Sequence, residues 1–130
     1  MNLLSSCLWV GLGGFAGAVA RFLTAVLVTR WLGLESFLAT ASANMLGCFA
    51  IGAAVAWLES RTVESGELRL LVVVGFLGAY TTFSTFGLES LDLTRSGRGS
   101  MAVANLMLQP ALGLGLALLG RNVALSILAR

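Results

Sequence analysis

Uncharged, largely apolar stretches alternate with short charged connectors along the whole chain. The stretches without a charged residue are Asn2–Ala20, Ser36–Leu58, Leu70–Leu88 and Gly99–Gly120, which contain 19, 23, 19 and 22 residues. A helix rises about 1.5 Å per residue, so about 20 apolar residues cross a hydrocarbon core about 30 Å thick. Because an isolated span must satisfy its own backbone polar groups, each stretch is predicted to be a transmembrane α-helix.

The predicted fold class is an all-α membrane protein with four transmembrane helices in each chain. With their flanking residues, the spans are expected at approximately 3–30, 36–58, 68–95 and 99–128 of the sequence. The connectors that remain are too short to form a second folding unit. Residues 1–130 are therefore predicted to be one four-helix transmembrane domain.

The composition limits the possible chemistry. Of the 130 residues, 58% are hydrophobic and 11% charged, whereas a water-soluble domain contains about 25% charged residues. The sequence has no histidine and no lysine, which excludes Ser-His-Asp and Cys-His sites, H-E-x-x-H metal helices and P-loops. A net charge of +2 is too small for a nucleic-acid-binding surface. We expect a multi-pass membrane protein that is neither an enzyme nor a nucleic-acid-binding protein.

Arginines are balanced between the two sides of the membrane. Four crossings place both termini on one side, and orientation follows the excess of Lys and Arg in short loops. The terminal side contains Arg61, Arg69 and Arg130, and the opposite side contains Arg30, Arg95 and Arg98. This balance predicts that the chain inserts in both orientations and pairs with an inverted copy, as inverted repeats do. A chance balance is the alternative.

The first stretch combines small residues with an intramembrane charge. Gly13 and Gly17 form a G-x-x-x-G pair, which allows close packing of helices in lipid. Arg21 follows 19 uncharged residues, and an arginine at the centre of a span costs about 2.5–3.5 kcal/mol. It therefore needs a partner or a water-filled cavity. It could attract anions, or it could form hydrogen bonds with helix ends and loops.

Asn44 is the only side-chain amide in the second stretch, and it lies beside a row of small residues spaced four apart. That row consists of Ala39, Ala43 and Gly47. Small residues at this spacing face other helices rather than lipid. Asn44 is therefore predicted either to line a pore as a hydrogen-bond donor or to bond a neighbouring helix.

The third stretch contains features that weaken a helix near its midpoint. Near residue 79, the midpoint of the uncharged run, the sequence has Gly75, Gly78 and several hydroxyl residues. A break here would free backbone carbonyls, which are ligands for Na⁺ when protein or a cavity surrounds them. An inverted copy could contribute carbonyls to the same cation. The alternative is a continuous helix whose threonines bond their own carbonyls.

Two aromatic residues follow this position at helical spacing. Phe83, Phe86 and Glu89 are three apart and are predicted to share one helix face. Aromatic rings carry positive edges, so rings presented edge-on can attract a desolvated anion. Contact with lipid or the core is the alternative role of the two phenylalanines. The adjacent threonine and serine hydroxyls favour the anion site.

Together, these residues resemble the Fluc (CrcB) fluoride channel family, and the four-span plan covers essentially the whole chain. The T-T-F-S-T-F block is the most specific part of the resemblance. The matching motifs are Gly13-Gly14 with Gly17-Ala18-x-x-Arg21-Phe22, Asn44-x-x-Gly47, and Gly75-Phe76-x-Gly78-x-x-Thr81-Thr82-Phe83-Ser84-Thr85-Phe86.

The resemblance implies an antiparallel, dual-topology homodimer that exports cytoplasmic fluoride passively through two pores. It also implies that this homodimer lies in a bacterial-type inner (plasma) membrane. It also implies a structural Na⁺ at the dimer centre, bound by the backbone carbonyls of Gly78 and Thr81. The implied fluoride pore residues are Phe83, Phe86, Asn44, Thr82, Ser84, Thr85 and Glu89. In the fourth span the family often has hydroxyls, whereas this chain has Asn105, Gln109 and Pro110. Gln109 either lines the pore in place of a hydroxyl or packs.

Two other functions are alternatives to a fluoride channel. A small dual-topology multidrug-type exporter would need a titratable acid at membrane depth, and none lies inside the four uncharged stretches. A non-conducting membrane assembly subunit would show no ion flux and would not need the two phenylalanines.

Overall fold

The computed structural model describes residues 2–61 and 66–129, which form helical segments joined by short loops. The α-helices are α1 (Leu3–Val26), α2 (Ser36–Glu59), α3 (Gly66–Arg69), α4 (Gly78–Tyr80), α5 (Phe83–Arg95) and α6 (Gly99–Leu128). Two π-helical segments complete the fold, Leu27–Trp31 after α1 and Leu70–Leu77 between α3 and α4.

In the part of the chain that the structure describes, four helical runs are long and apolar enough to cross a membrane. They are Leu3–Trp31, Ser36–Glu59, Gly66–Arg95 and Gly99–Leu128, called here the first to fourth spans. This confirms the prediction of an all-helical chain with four membrane-spanning helices. Arg130, which entered the arginine balance, lies outside the described residues.

Glycines allow neighbouring spans to approach closely. A Cβ atom at Gly17 of α1 would overlap the backbone carbonyl of Phe76 in the third span. A Cβ atom at Gly52 of α2 would likewise overlap the carbonyl of Ala117 in α6. Since lipid provides no hydrophobic driving force between helices, such backbone contact is a main source of their association. A Cβ atom at Gly13 would overlap the Leu71 carbonyl in the same way, so the close packing predicted for Gly13 and Gly17 is confirmed.

Ion pairs connect the spans at opposite ends of α2. Arg98 donates to Glu35 at 2.6 Å just before α2 begins, and Arg121 donates to Glu59 at 3.4 Å at its last residue. The 24 residues between these points give α2 a length of about 36 Å, which exceeds the hydrocarbon thickness. Both pairs are exposed, so they contribute little to stability, but they place charge at both ends of the bundle.

The third span changes its backbone conformation near its middle. The helix ends at Tyr80, and Thr81 (φ −88°, ψ 159°) and Thr82 (φ −151°, ψ 125°) are extended. Helix α5 then begins at Phe83, with the Thr82 hydroxyl accepting a hydrogen bond from the Thr85 N–H at 3.3 Å. A threonine in this N-cap position satisfies a backbone donor that the new helix leaves free. Thr81 and Thr82 therefore lie between the end of α4 and the start of α5.

Candidate functional site

The Asn44 side chain of α2 pairs with the backbone of Thr82 through two hydrogen bonds. Its Oδ1 atom accepts from the Thr82 N–H at 2.9 Å, and its Nδ2 atom donates to the Thr82 carbonyl at 3.1 Å. An extended residue inside a membrane span exposes both backbone groups, and each would be costly in hydrocarbon without a partner. Asn44 supplies both partners and thereby stabilises the extended conformation.

This pairing changes the donors available to two carbonyls of the third span. In an α-helix the Thr82 N–H would bond the Gly78 carbonyl, and the Thr85 N–H would bond the Thr81 carbonyl. Here those N–H groups donate to Asn44 Oδ1 and to the Thr82 hydroxyl instead. The Gly78 and Thr81 carbonyl oxygens thus lose their helical donors. Neutral oxygens of this kind fit the ligand preference of Na⁺ at membrane depth.

Arg21 contacts the same region from α1. Its Nε atom donates to the Ala79 carbonyl at 3.1 Å. One turn further along α1, the Thr24 hydroxyl lies 3.1 Å from the Tyr80 hydroxyl. Both contacts join α1 to the three-residue helix α4 directly before the extended residues. The geometry is that of a charged side chain hydrogen-bonded to a helix end, the second of the two roles considered for Arg21.

Three hydroxyl groups converge at the start of α5. The Thr82 Oγ1 atom lies 3.3 Å from the Ser84 hydroxyl and 3.1 Å from the Thr85 hydroxyl. A hydroxyl can donate or accept, so this cluster can rearrange its donors around an incoming anion. The structure therefore brings together the three hydroxyl residues predicted from the motif.

The rings of Phe83 and Phe86 form a tilted pair. Their centroids are 5.6 Å apart and their planes meet at 48°, which lies within the range of favourable aromatic contacts. Phe86 is 6% exposed, whereas Phe83 is 83% exposed on the surface of the single chain. Tilted rings present edges in more than one direction. A large exposed ring beside buried polar groups indicates a surface that either lipid or a second chain covers.

A cavity of about 350 Å³ brings many of the predicted residues together. Its walls include Asn44, Thr82, Phe83, Phe86 and Gln109, with apolar side chains making up most of the remainder. An apolar cavity with a few convergent polar groups is the usual form of a small-ligand site. We call it the amide–phenyl cavity.

Glu89 lines a second cavity. This cavity, also about 350 Å³, is lined by Arg21, Thr40, Thr82 and Glu89, among others. Glu89 Oε1 accepts from the Thr40 hydroxyl at 3.0 Å. Its Oε2 atom is buried and has no hydrogen-bond partner among the residues that the structure describes. Thr82 lines both cavities and therefore lies where they adjoin.

A chain of buried side chains extends from Asn44 into the fourth and third spans. Asn44 Nδ2 donates to Gln109 Oε1 at 3.0 Å, and Gln109 Nε2 donates to Asn105 Oδ1 at 2.8 Å. Asn105 Nδ2 donates to the Ser90 hydroxyl at 3.0 Å, which donates to the Phe86 carbonyl at 2.8 Å. We call the run Gln109–Asn105–Ser90 the amide chain. The part of this chain that the sequence alone could indicate is the amide pair Asn105 and Gln109. They lie four residues apart in an uncharged run, which places them on one helix face.

Comparisons with known proteins identify a family and several relatives that match this chain in sequence. The profile of the family described as "CrcB-like protein, Camphor Resistance (CrcB)" matches residues 8–121. A Salinibacter ruber protein named "Fluoride-specific ion channel FluC" is 43% identical over 124 residues, covering 93% of this chain and 90% of the relative. A relative with the same name from Acidobacterium capsulatum is 40% identical, over 94% of this chain and 98% of its own length. Another from Magnetococcus marinus is 46% identical, over 76% of this chain and 80% of its own length.

The extent of these matches settles the classification. The family profile covers most of the chain, and two of the relatives match it over more than nine-tenths of its length. Together with the four spans, these matches identify a multi-pass protein of the plasma membrane that is not an enzyme. The chain belongs to the CrcB family.

Proposed function

We propose that the chain is a fluoride-selective ion channel that exports cytoplasmic fluoride passively down its electrochemical gradient. The observation that carries this proposal is the pairing of Asn44 with Thr82, which holds extended backbone, amides and aromatic rings around one cavity. Fluoride is compact and strongly hydrated, so a pore must replace its water with protein donors. Membership of a family whose relatives are named as fluoride channels supports the same conclusion.

The pore residues have distinct roles in this proposal. Asn44 and the hydroxyls of Thr82, Ser84 and Thr85 donate hydrogen bonds to fluoride. The edges of Phe83 and Phe86 replace water on the apolar side of the path, because they are weakly positive. Glu89 borders the second cavity, where the ion is still hydrated. Several weak sites in series allow the ion to enter and also to leave.

The functional unit in this proposal is an antiparallel, dual-topology homodimer with two pores. The single 1–130 domain contributes a third helix that is broken near the bilayer centre. Three features support a second copy: the arginine balance, the exposed ring of Phe83, and carbonyls that need a polar partner at membrane depth. Inversion about an axis in the membrane plane would bring the two breaks together.

The carbonyls of Gly78 and Thr81 from each copy would hold a structural Na⁺ at that axis. The ion would supply positive charge to oxygens that the extended residues leave without helical donors. In the described residues no group of three Asp, Glu, His or Cys side chains is arranged to bind a metal. Dimer stability measured with Na⁺ and then with a large organic cation tests this site, and an unchanged stability would contradict it.

A dual-topology multidrug-type exporter is the second candidate, and one observation favours it. Glu89 lies inside the third span with a buried carboxylate oxygen that has no partner among the described residues, and proton-coupled carriers use such acids. Such an exporter would require a proton gradient. The non-conducting assembly subunit requires no gradient and passes no ion.

Fluoride flux in liposomes distinguishes these functions. Purified protein is reconstituted into vesicles loaded with fluoride, and a membrane potential and a pH gradient are imposed separately. We expect efflux that follows the membrane potential and needs no pH gradient. Efflux that requires the pH gradient would indicate the exporter, and the absence of efflux would indicate the assembly subunit.

A further inference from the structure

Both hydrogen-bond donors of Asn44 are used. Its Oδ1 atom and one Nδ2 hydrogen are taken by the Thr82 backbone, and the other Nδ2 hydrogen is taken by Gln109 Oε1. An amide has only two hydrogens, so Asn44 has no hydrogen left for an ion in this arrangement. Thr82 fixes the orientation of the Asn44 amide without help from Gln109. The hydrogen directed at Gln109 is therefore the one that could be released.

The amide chain has a direction, and its far end allows that direction to reverse. An amide presents oxygen on one side and N–H groups on the other, so reversing Gln109 requires Asn105 to reverse as well. The chain ends at the Ser90 hydroxyl, which now accepts from Asn105 and donates to the Phe86 carbonyl. A hydroxyl can instead donate to the Asn105 oxygen. Each bond between Gln109, Asn105 and Ser90 then has a counterpart in the reversed state.

The two directions differ at the end that faces Asn44. In the present direction Gln109 offers an oxygen, and in the reversed direction it offers an N–H group. Two opposed donors repel each other unless an acceptor lies between them. A small anion is such an acceptor, since it can take one N–H from each amide, and hydrogen bonds to a charged acceptor are stronger than neutral ones.

We propose that Asn44 and Gln109 form a two-amide subsite for fluoride, created when the amide chain reverses its direction. The subsite rests on the fluoride channel function proposed above and assigns Gln109 as a second amide donor. Both residues line the amide–phenyl cavity, with Phe83 and Phe86 in its wall. Because Ser90, Asn105 and Gln109 are buried, water cannot supply a hydrogen bond that the amide chain itself does not make. Fluoride selects the reversed direction because it binds only that direction well.

The sequence offers a direct probe of the subsite, because Gln109 is the only glutamine in the 130 residues. Protein labelled with ¹⁵N in glutamine side chains gives one pair of side-chain N–H signals. We expect these signals to shift as fluoride is added, over the concentrations at which flux saturates, and to stay in place with chloride at equal ionic strength. Signals that do not move with fluoride over that range would overturn the proposal.

A substitution tests the same subsite by flux. Gln109→Met keeps a side chain of similar length but removes its donor, and Leu108→Met on the adjacent exposed position is the matched control. We expect Gln109→Met to raise the half-saturating fluoride concentration about tenfold, as loss of one hydrogen bond to an ion would do. Leu108→Met should leave it unchanged. Reduced stability of Gln109→Met with an unchanged half-saturating concentration would indicate a packing role and overturn the proposal.

The two proposals fail in different ways. Wild-type protein that passes no fluoride would contradict the channel function itself. Wild-type protein that conducts fluoride without movement of the Gln109 signals would contradict only the two-amide subsite. The measurement on labelled wild-type protein decides the question even if Gln109→Met does not fold.

Discussion

Gly47 of α2 lies directly against the Thr81 side chain, at the first of the two extended residues in the third span. A Cβ atom added at Gly47 would overlap Thr81 Cγ2. Asn44 is three residues earlier on α2, so it shares this face of the helix. The missing side chain of Gly47 brings α2 close enough for Asn44 to hydrogen-bond the Thr82 backbone.

Gly47→Ala should therefore destabilise the protein by about 1–3 kcal/mol, as expected for an added methyl group in a close-packed site. Thr81→Ser removes the Cγ2 atom and keeps the hydroxyl that donates to the Leu77 carbonyl. We expect the double variant to regain most of the lost stability. Unfolding midpoints in detergent measure both effects.

Gly11→Ala is the matched control for this pair, because a Cβ atom at Gly11 meets nothing within 4 Å. It should cost little or nothing, since alanine is the better helix former. An equal loss of stability for Gly47→Ala with and without Thr81→Ser would show that the contact with Thr81 is unimportant.

Arg21 offers a test between its two possible roles. Its Nε atom donates to the Ala79 carbonyl, and this geometry depends on the guanidinium group. If Arg21 positions the end of α4, Arg21→Lys should lose most of the stability and flux that Arg21→Met loses. If charge alone matters, Arg21→Lys should retain near-normal fluoride flux. Flux and unfolding midpoints of both variants distinguish these outcomes, and normal behaviour of Arg21→Lys would contradict the positioning role.

The fold can be predicted well from the sequence because a lipid bilayer permits few backbone structures. An uncharged run of about 20 residues is long enough to cross a bilayer and is expected to do so as a helix. The four such runs therefore predict four spans. The glycine spacing of the first span likewise predicts close packing, which a Cβ atom at Gly17 would disturb. The change to π-helix at Leu70–Leu77 was not predicted, because no residue type marks it.

Only part of the site can be predicted, because the residues that hydrogen-bond to each other within it are far apart in the sequence. Composition near residue 79 indicates a weak helix, but only tertiary contact shows that Asn44 bonds Thr82, 38 residues away. The sequence places Asn105 and Gln109 on one helix face, but it does not show that Asn105 hydrogen-bonds Ser90 of the third span. Helical spacing predicts a shared face for Glu89 and the phenylalanines, but it does not show that they line two adjoining cavities.

Phe83→Ile and Phe86→Ile should sharply reduce fluoride efflux from liposomes while the protein still assembles. Isoleucine keeps the apolar character and removes the positive ring edge. Phe86 is buried, so its replacement should also lower stability. Phe15→Ile, at an exposed phenylalanine of α1, is the control. Unchanged efflux in both pore variants would remove the aromatic-edge hypothesis.

Two lysines added after Arg130 should fix one orientation of the chain and impair function. The six arginines in the balance divide three against three between the sides, so two extra charges decide the orientation. Two serines added at the same place are the control. Labelling of single cysteines from each side of the membrane reports the orientation. A single orientation in the unmodified protein would contradict dual insertion.

The most direct measurement compares fluoride with chloride efflux from liposomes that contain the purified wild-type protein, with ion-selective electrodes and a potassium diffusion potential. A channel whose cavity is lined by two amides, two threonines and two phenylalanine rings should release fluoride rapidly while chloride stays inside the vesicles. Retention of fluoride, or release of both halides at similar rates, would contradict a fluoride-selective channel.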